Sequence, residues 1–236
     1  MSEAAPQKKN KSVLWHVVRW GSHIASLLPL VILIIDFLTN NLTANPIQAA
    51  TQRTGKTALT ILVIMLAVSP VVSLTKASIL SGMKKRLGLY AFMYAAIHFL
   101  IFIVVDYGLN FKWIFRTLSE KPYLLLGLAA FTILLLMAIT SFQWWKRKMG
   151  KNWKKLHRLV YAASIMIVLH FALAQKGDLF NLRGNIGLPI IYGAILLLLL
   201  SYRIPFVKKG IADLRVKMNS GRINNNPRTN NENSQT

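Results

Sequence analysis

The 236-residue sequence has no cysteine, only seven acidic residues, and a charged fraction of 15%. A typical soluble domain carries about a quarter charged residues. Without cysteine there are no disulfides, no thiolate-held zinc, no cysteine-ligated iron–sulfur cluster and no covalently attached c-type haem. The chain also lacks a Gly-x-Gly-x-x-Gly fingerprint and any soluble α/β segment, which excludes a Rossmann domain for NAD(P)H. Thr54-Gly55-Lys56-Thr57 looks like the end of a phosphate loop, but Ala50 stands where the upstream glycine belongs. The segment leads straight into an apolar run, so a nucleotide site is rejected. What is present is apolar and basic: 54% hydrophobic residues, 29 Lys+Arg, a formal charge of +22 and a mean hydropathy of +0.43. That combination describes a membrane protein whose loops hold the charge. Nucleic-acid binding would need the basic residues on a soluble scaffold, and none is visible.

Six charge-free runs stand out, at residues 20–35, 57–75, 87–105, 122–145, 159–175 and 184–202. Most approach or exceed the ~20 residues a helix needs to cross a ~30 Å hydrocarbon core. They are continuously apolar rather than alternating, which favours helices over barrel strands. The fold class expected is all-α, a six-helix transmembrane bundle. Lys and Arg in the successive non-membrane segments number 4, 2, 4, 3, 7, 2 and 7, so alternate segments hold 22 on one side and 7 on the other. Basic loops stay inside, so both termini are expected in the cytoplasm. The N-terminal run is of spanning length without a clean small-residue cleavage site, and reads as an uncleaved first span. The organisation expected is a cytoplasmic segment over 1–19, a transmembrane domain over 20–203, a basic amphipathic interfacial helix over 204–218 and a disordered tail over 219–236.

Only five histidines occur, and two lie inside spans. His98 stands eleven residues beyond Leu87 and His170 eleven beyond Leu159. At ~1.5 Å per residue both sit roughly 16 Å deep, near the middle of the bilayer. Ionisable residues are costly there and usually functional. Two neutral imidazoles at one depth on different helices suit the axial positions of one iron porphyrin, held without covalent attachment as b-type haem. The alternative is a pair of histidines hydrogen-bonded between helices, which would not require matched depth. Arg86-Leu87 with Ile97-His98-Phe99 recurs 72 residues later as Arg158-Leu159 with Leu169-His170-Phe171, a short internal repeat. His157 stands at the inner surface among Lys154, Lys155 and Arg158, either as an interfacial polar residue or as ligand to a second haem. His157 and His170 are 13 residues apart, about 20 Å along an ideal helix but ~140° apart in face. His23 is the one histidine at a matching depth to serve as its partner, whereas His16 lies further out. Arg53 and Lys56 outside, and Lys85 and Arg86 inside, are candidates to pair with haem propionates. Trp144, Trp145 and Trp153 read as an aromatic belt, and Tyr90, Tyr94 and Tyr161 as packing residues.

These residues resemble the MsrQ family of membrane cytochromes b, within the ferric-reductase-like transmembrane group. The likeness runs from about Gly21 to Tyr202. It is carried by His23 with Leu27-Leu28-Pro29, by Asn45-Pro46 followed by Thr54-Gly55-Lys56-Thr57-Ala58-Leu59, and by Ser69-Pro70. It continues through Arg86-Leu87-Gly88-Leu89, His98, Lys121-Pro122-Tyr123, Gly150-Lys151, Trp153, Leu156-His157, Val160-Tyr161 and His170. The resemblance implies an oxidoreductase component of the bacterial inner membrane that has no substrate-reduction site of its own. It would carry one or two b haems on His98, His157 and His170, with His23 a further candidate, and FMN or a quinone as a secondary cofactor. Electrons would arrive from a cytosolic flavin reductase or the quinone pool. They would leave to a periplasmic MsrP-like molybdopterin enzyme that reduces methionine sulfoxide in oxidised proteins. In the wider group paired histidines occupy both the third and fifth spans, whereas here Lys85 stands thirteen residues before His98. A ferric-chelate or oxygen reductase on the same haem frame is a rival. A transporter or structural membrane protein is another, although no pair of Gly/Pro-broken helices in matching halves supports it.

Overall fold

The computed structural model describes residues 7–175, 177–178, 183–184, 186–204 and 207. The interfacial helix expected over 204–218 and the tail over 219–236 therefore lie, but for residues 204 and 207, outside the described residues. Each of the six apolar runs contains a helix. Helix α1 spans Gln7–Leu38, α2 Pro46–Thr75, α3 Met83–Leu100, α4 Phe111–Glu120 and α5 Tyr123–Ile139. Helices α6 Gln143–Met149, α7 Lys151–Arg158, α8 Val160–Ala174 and α9 Gly187–Ser201 follow. The one strand pairing among the described residues is the two-residue antiparallel match of Gly177–Asp178 with Arg183–Gly184.

Helix boundaries follow local chemistry. Asn45 caps α2 by accepting from the Gln48 amide at 3.0 Å, with Pro46 in the first turn where its missing N–H costs nothing. Helix α1 begins well before the expected boundary at Trp20, because Val13, Leu14, Val17 and Val18 continue the apolar pattern past a single Arg19. Helix α3 passes without a break into a π-helical turn, Ile101–Asp106, and then a loop where Gly108 takes φ +55°. The fourth apolar run does not reach Trp145 as one helix. It stops at Ile139, where Thr140 turns its hydroxyl back to donate to the Leu136 carbonyl at 2.7 Å and its own carbonyl accepts from Trp153 Nε1 at 2.8 Å. Residues 111–120, expected as part of a loop, form α4 at 113° to α5. It buries Ile114 and Thr117, exposes Trp113 and Phe115, and sets Arg116 over the Trp113 ring, the pattern of a helix lying along a membrane interface.

Among the described residues, four helices are long and apolar enough to cross a membrane: Val13–Leu38, Pro46–Thr75, Ser78–Asp106 and Lys151–Ala174. The bent pair of α4 and α5 provides a fifth when counted together, and α9 is a shorter apolar helix. Their outward faces carry Ile24, Ile35, Leu100, Leu125, Ile165 and Leu188 exposed. Contiguous apolar surface on that scale belongs in lipid rather than water. The chain is an all-α, multi-pass membrane protein.

Residues up to Leu196 cluster as one compact unit; those from Leu197 form another, whose described part is residues 197–204 and 207. Within the first unit α2 packs along α3 and α5 along α8. Tyr94, 1% exposed, ties α3 to α1 by donating to the Ser26 carbonyl at 2.7 Å. The hydroxyls of Thr60 and Tyr192, 2.7 Å apart, join α2 to α9.

Candidate functional site

The two tightly packed helix pairs each present one histidine to the space between them. His98 on α3 directs Nδ1 to the Thr51 carbonyl of α2 at 2.8 Å, and His170 on α8 directs Nδ1 to the Tyr123 carbonyl of α5 at 2.9 Å. A carbonyl can only accept, so each imidazole is the Nδ1–H tautomer and Nε2 carries the lone pair. Neither Nε2 has a hydrogen-bond partner among the described residues. The rings stand with centroids 6.3 Å apart and planes at 82°. The histidines that match in depth thus converge in space, each oriented by main chain from a different helix and each keeping a nitrogen free for a metal. No group of three or more His, Cys, Asp or Glu side chains occurs among the described residues, so such a metal would draw its remaining ligands from elsewhere.

The surroundings are aromatic and apolar. Phe131 on α5 stacks on Phe99 at 4.4 Å and on Phe92 at 5.9 Å, closing α3 against α5 beside His98. Phe171 meets Tyr192 edge-on at 6.0 Å, and Tyr123 lies 5.8 Å from the His170 ring. Around the N-terminal end of α2, Thr43, Gln48, Gln52, Arg53 and Lys56 line a recess of about 320 Å³. Arg53, one of the two outer propionate candidates, is paired with Asp36, and Lys56 is half-buried.

The remaining histidines are placed apart from this pair. His157 on α7 bonds the Thr140 hydroxyl at 3.2 Å and stacks on Trp153 at 4.0 Å and 28°. Because that hydroxyl spends its one proton on Leu136, it accepts from His157, whose Nε2 is therefore a donor. His23 shares a 2.7 Å bond between Nδ1 and the Tyr90 hydroxyl, giving Tyr90 a partner beyond packing. The structure does not bring His157 and His23 together. His16 is exposed. Arg86 donates through Nε to Ser22 at 3.0 Å, and Lys85 is exposed. The seven basic residues of 146–158 are all exposed, and Lys146 and Lys148 lie over the rings of Trp153, Trp144 and Trp145. Two acidic residues are taken up locally, Asp36 by Arg53 and Glu120 by Arg116 at 2.8 Å; Asp106 is exposed.

Comparison with known proteins bears on this arrangement. Residues 54–168 match the family described as ferric reductase like transmembrane component, a stretch that contains His98 and His157 and stops two residues before His170. The chain is 35% identical over 181 residues to the protein-methionine-sulfoxide reductase heme-binding subunit MsrQ of Bordetella pertussis, covering 77% of this chain and 85% of that one. It is 34% identical over 203 residues to the subunit of the same name from Xanthomonas campestris pv. campestris, covering 84% and 89%. The subunit from Xanthomonas axonopodis pv. citri is 35% identical over 188 residues, covering 77% and 83%. Identity of this level over nearly the whole length of those relatives is a statement of common descent: the chain belongs to the MsrQ family, among the ferric-reductase-like transmembrane proteins.

Proposed function

We propose that this chain is a b-type haem subunit of a methionine sulfoxide reductase system, with His98 and His170 as the axial ligands of one haem in the middle of the membrane. The observation that carries the proposal is the ring separation. One metal ion held between two imidazoles, at about 2.0 Å from each nitrogen, would need ring centres roughly 6 Å apart. The His98 and His170 centroids are 6.3 Å apart. Both Nδ1–H groups donate to carbonyls, which fixes the tautomer, orients the rings and makes each Nε2 a stronger donor to iron. When bound, the haem supplies one-electron chemistry; the chain supplies depth, axial ligation and an apolar surround.

In the same proposal the chain crosses the bacterial inner membrane six times, with α9 as the sixth span and both termini in the cytoplasm. Its inner face, with seven exposed basic residues between 146 and 158, attracts an acidic flavin reductase or an anionic donor such as reduced FMN; a membrane quinol is the alternative donor. The thinner outer face delivers electrons to a periplasmic MsrP-like molybdopterin enzyme that repairs oxidised methionine. The names of the relatives support the sulfoxide reductase assignment. The family description also favours one rival, a ferric-chelate reductase. Reducing the subunit in membranes, removing the reductant and then offering MsrP, ferric chelate or oxygen in turn separates them: the proposal requires rapid reoxidation by MsrP alone.

The direct test is a reduced-minus-oxidised spectrum with a pyridine haemochrome count. One b haem per chain is expected in the wild type and none in His98→Ala/His170→Ala. Retention of the wild-type Soret band by that double variant would refute the ligand assignment. A second haem on His157 would first have to displace the Thr140 bond, and a count of two per chain would establish it.

A further inference from the structure

The internal repeat extends beyond the histidines to the helices that hold them. Thr51, Gly55 and His98 recur 72 positions later as Tyr123, Gly127 and His170. In both triads the first residue offers its carbonyl to the imidazole Nδ1, and in both a glycine follows one helical turn later on the same face. A side chain at that glycine would project back over the carbonyl, into the place the ring occupies. A Cβ on Gly55 would stand 3.0 Å from His98 Nδ1 and 3.1 Å from Cε1. A Cβ on Gly127 would stand 2.9 Å from both Nδ1 and Cε1 of His170 and 3.3 Å from Cγ. Carbon atoms in good contact lie about 3.5–4.0 Å apart, so either methyl would push its ring by about half an ångström. The atom pushed is the nitrogen whose bond sets the ring. By contrast Gly88, on α3, has nothing within 4 Å of its Cβ position.

We propose that Gly55 and Gly127 are paired positioning residues: their missing side chains let each imidazole dock on a main-chain carbonyl and so hold Nε2 at the axial position of the iron. This rests on the haem assignment made above. Glycine costs roughly 0.5–1 kcal/mol relative to alanine inside a helix, so two glycines at matching positions are not explained by helix stability. Both variants act through a histidine rather than on the iron, so the readout is ligation. If both imidazoles hold the iron, the ferrous wild type is expected to exclude carbon monoxide.

The test compares Gly55→Ala, Gly127→Ala and the control Gly88→Ala in the full-length, haem-loaded protein. It measures haem per chain, carbon monoxide uptake by the ferrous form and far-UV circular dichroism. Expected are unchanged helix content in all three, carbon monoxide uptake rising from none to most of the haem in Gly127→Ala, a smaller rise in Gly55→Ala, and none in Gly88→Ala. Haem-loaded Gly55→Ala and Gly127→Ala proteins that exclude carbon monoxide as the wild type does would overturn the proposal. Loss of folded protein in both, with Gly88→Ala folded, would make them packing residues and overturn it equally. A colourless wild type would instead remove the haem assignment itself, before any variant is compared.

Discussion

Replacing His157 by alanine separates a structural histidine from a ligand. The substitution removes a bond to Thr140, 3.2 Å long, and a stacked contact with Trp153 at 4.0 Å; the Trp153 Nε1 bond to the Thr140 carbonyl at 2.8 Å remains. Side-chain hydrogen bonds measured within membrane proteins average about 0.6 kcal/mol. Aromatic pairs contribute about 0.5–1.5 kcal/mol beyond the area they bury. Together the loss is about 1–2 kcal/mol, a roughly 5–30-fold shift in the unfolding equilibrium. Unfolding of the purified protein by sodium dodecyl sulfate in mixed micelles, followed by circular dichroism, should show the midpoint move to lower detergent fraction. Haem per folded chain should stay at the wild-type value, because His157 Nε2 is occupied as a donor rather than free for iron. A haem count that falls by half would make His157 a ligand and refute this reasoning. An unmoved midpoint would refute the energetic part alone.

Three further outcomes follow from named contacts. Tyr94→Phe removes the 2.7 Å bond from a residue 1% exposed to the Ser26 carbonyl, and should cost about 1 kcal/mol in the same unfolding assay. Haem content should not change, since Tyr94 lies one helical turn before His98 and its hydroxyl is directed to Ser26 on α1. Reversing Lys151, Lys154 and Lys155 to Glu should slow reduction by an acidic flavin reductase at least about tenfold at low salt. The difference should shrink as ionic strength rises, which stopped-flow traces of haem reduction would record. Trp153→Phe keeps the stack on His157 but loses the Nε1 donor to Thr140, so its unfolding midpoint should fall between those of the wild type and His157→Ala, with the haem spectrum unchanged.

Much of the architecture was legible because a membrane imposes a simple code. Continuous apolar runs bounded by charge marked the places of α1, α2, α3, α5, α8 and α9, and matched depth brought out His98 and His170, whose ring centroids stand 6.3 Å apart. What depth could not convey was the second partner of each ring, since a backbone carbonyl has no sequence signature. Gly55 was visible in a phosphate-loop fragment and in a block shared with the family, but not as a neighbour of His98. The usable signal was the 72-residue offset, which carries Thr51 and Gly55 onto Tyr123 and Gly127. The bend between α4 and α5 was hidden because Phe111, Trp113, Ile114 and Phe115 stand among Lys112, Arg116 and Glu120, so that residues 111–120 read as a charged loop. The facing problem between His157 and His170 assumed one ideal helix. Leu159 interrupts Lys151–Ala174 by a single turn residue and the segment still counts as one span, while Thr140 and Trp153 fix where the His157 ring lies.

Low-temperature electron paramagnetic resonance of the ferric protein tests the central claim most directly, because the spectrum reports both the axial ligands and the angle between them. Imidazole planes at 82° leave two iron d orbitals nearly degenerate. The expected result is a low-spin signal with a single dominant low-field feature, absent from both His98→Ala and His170→Ala. A high-spin signal in the wild type, or a low-spin signal that survives either substitution, would contradict ligation by this pair.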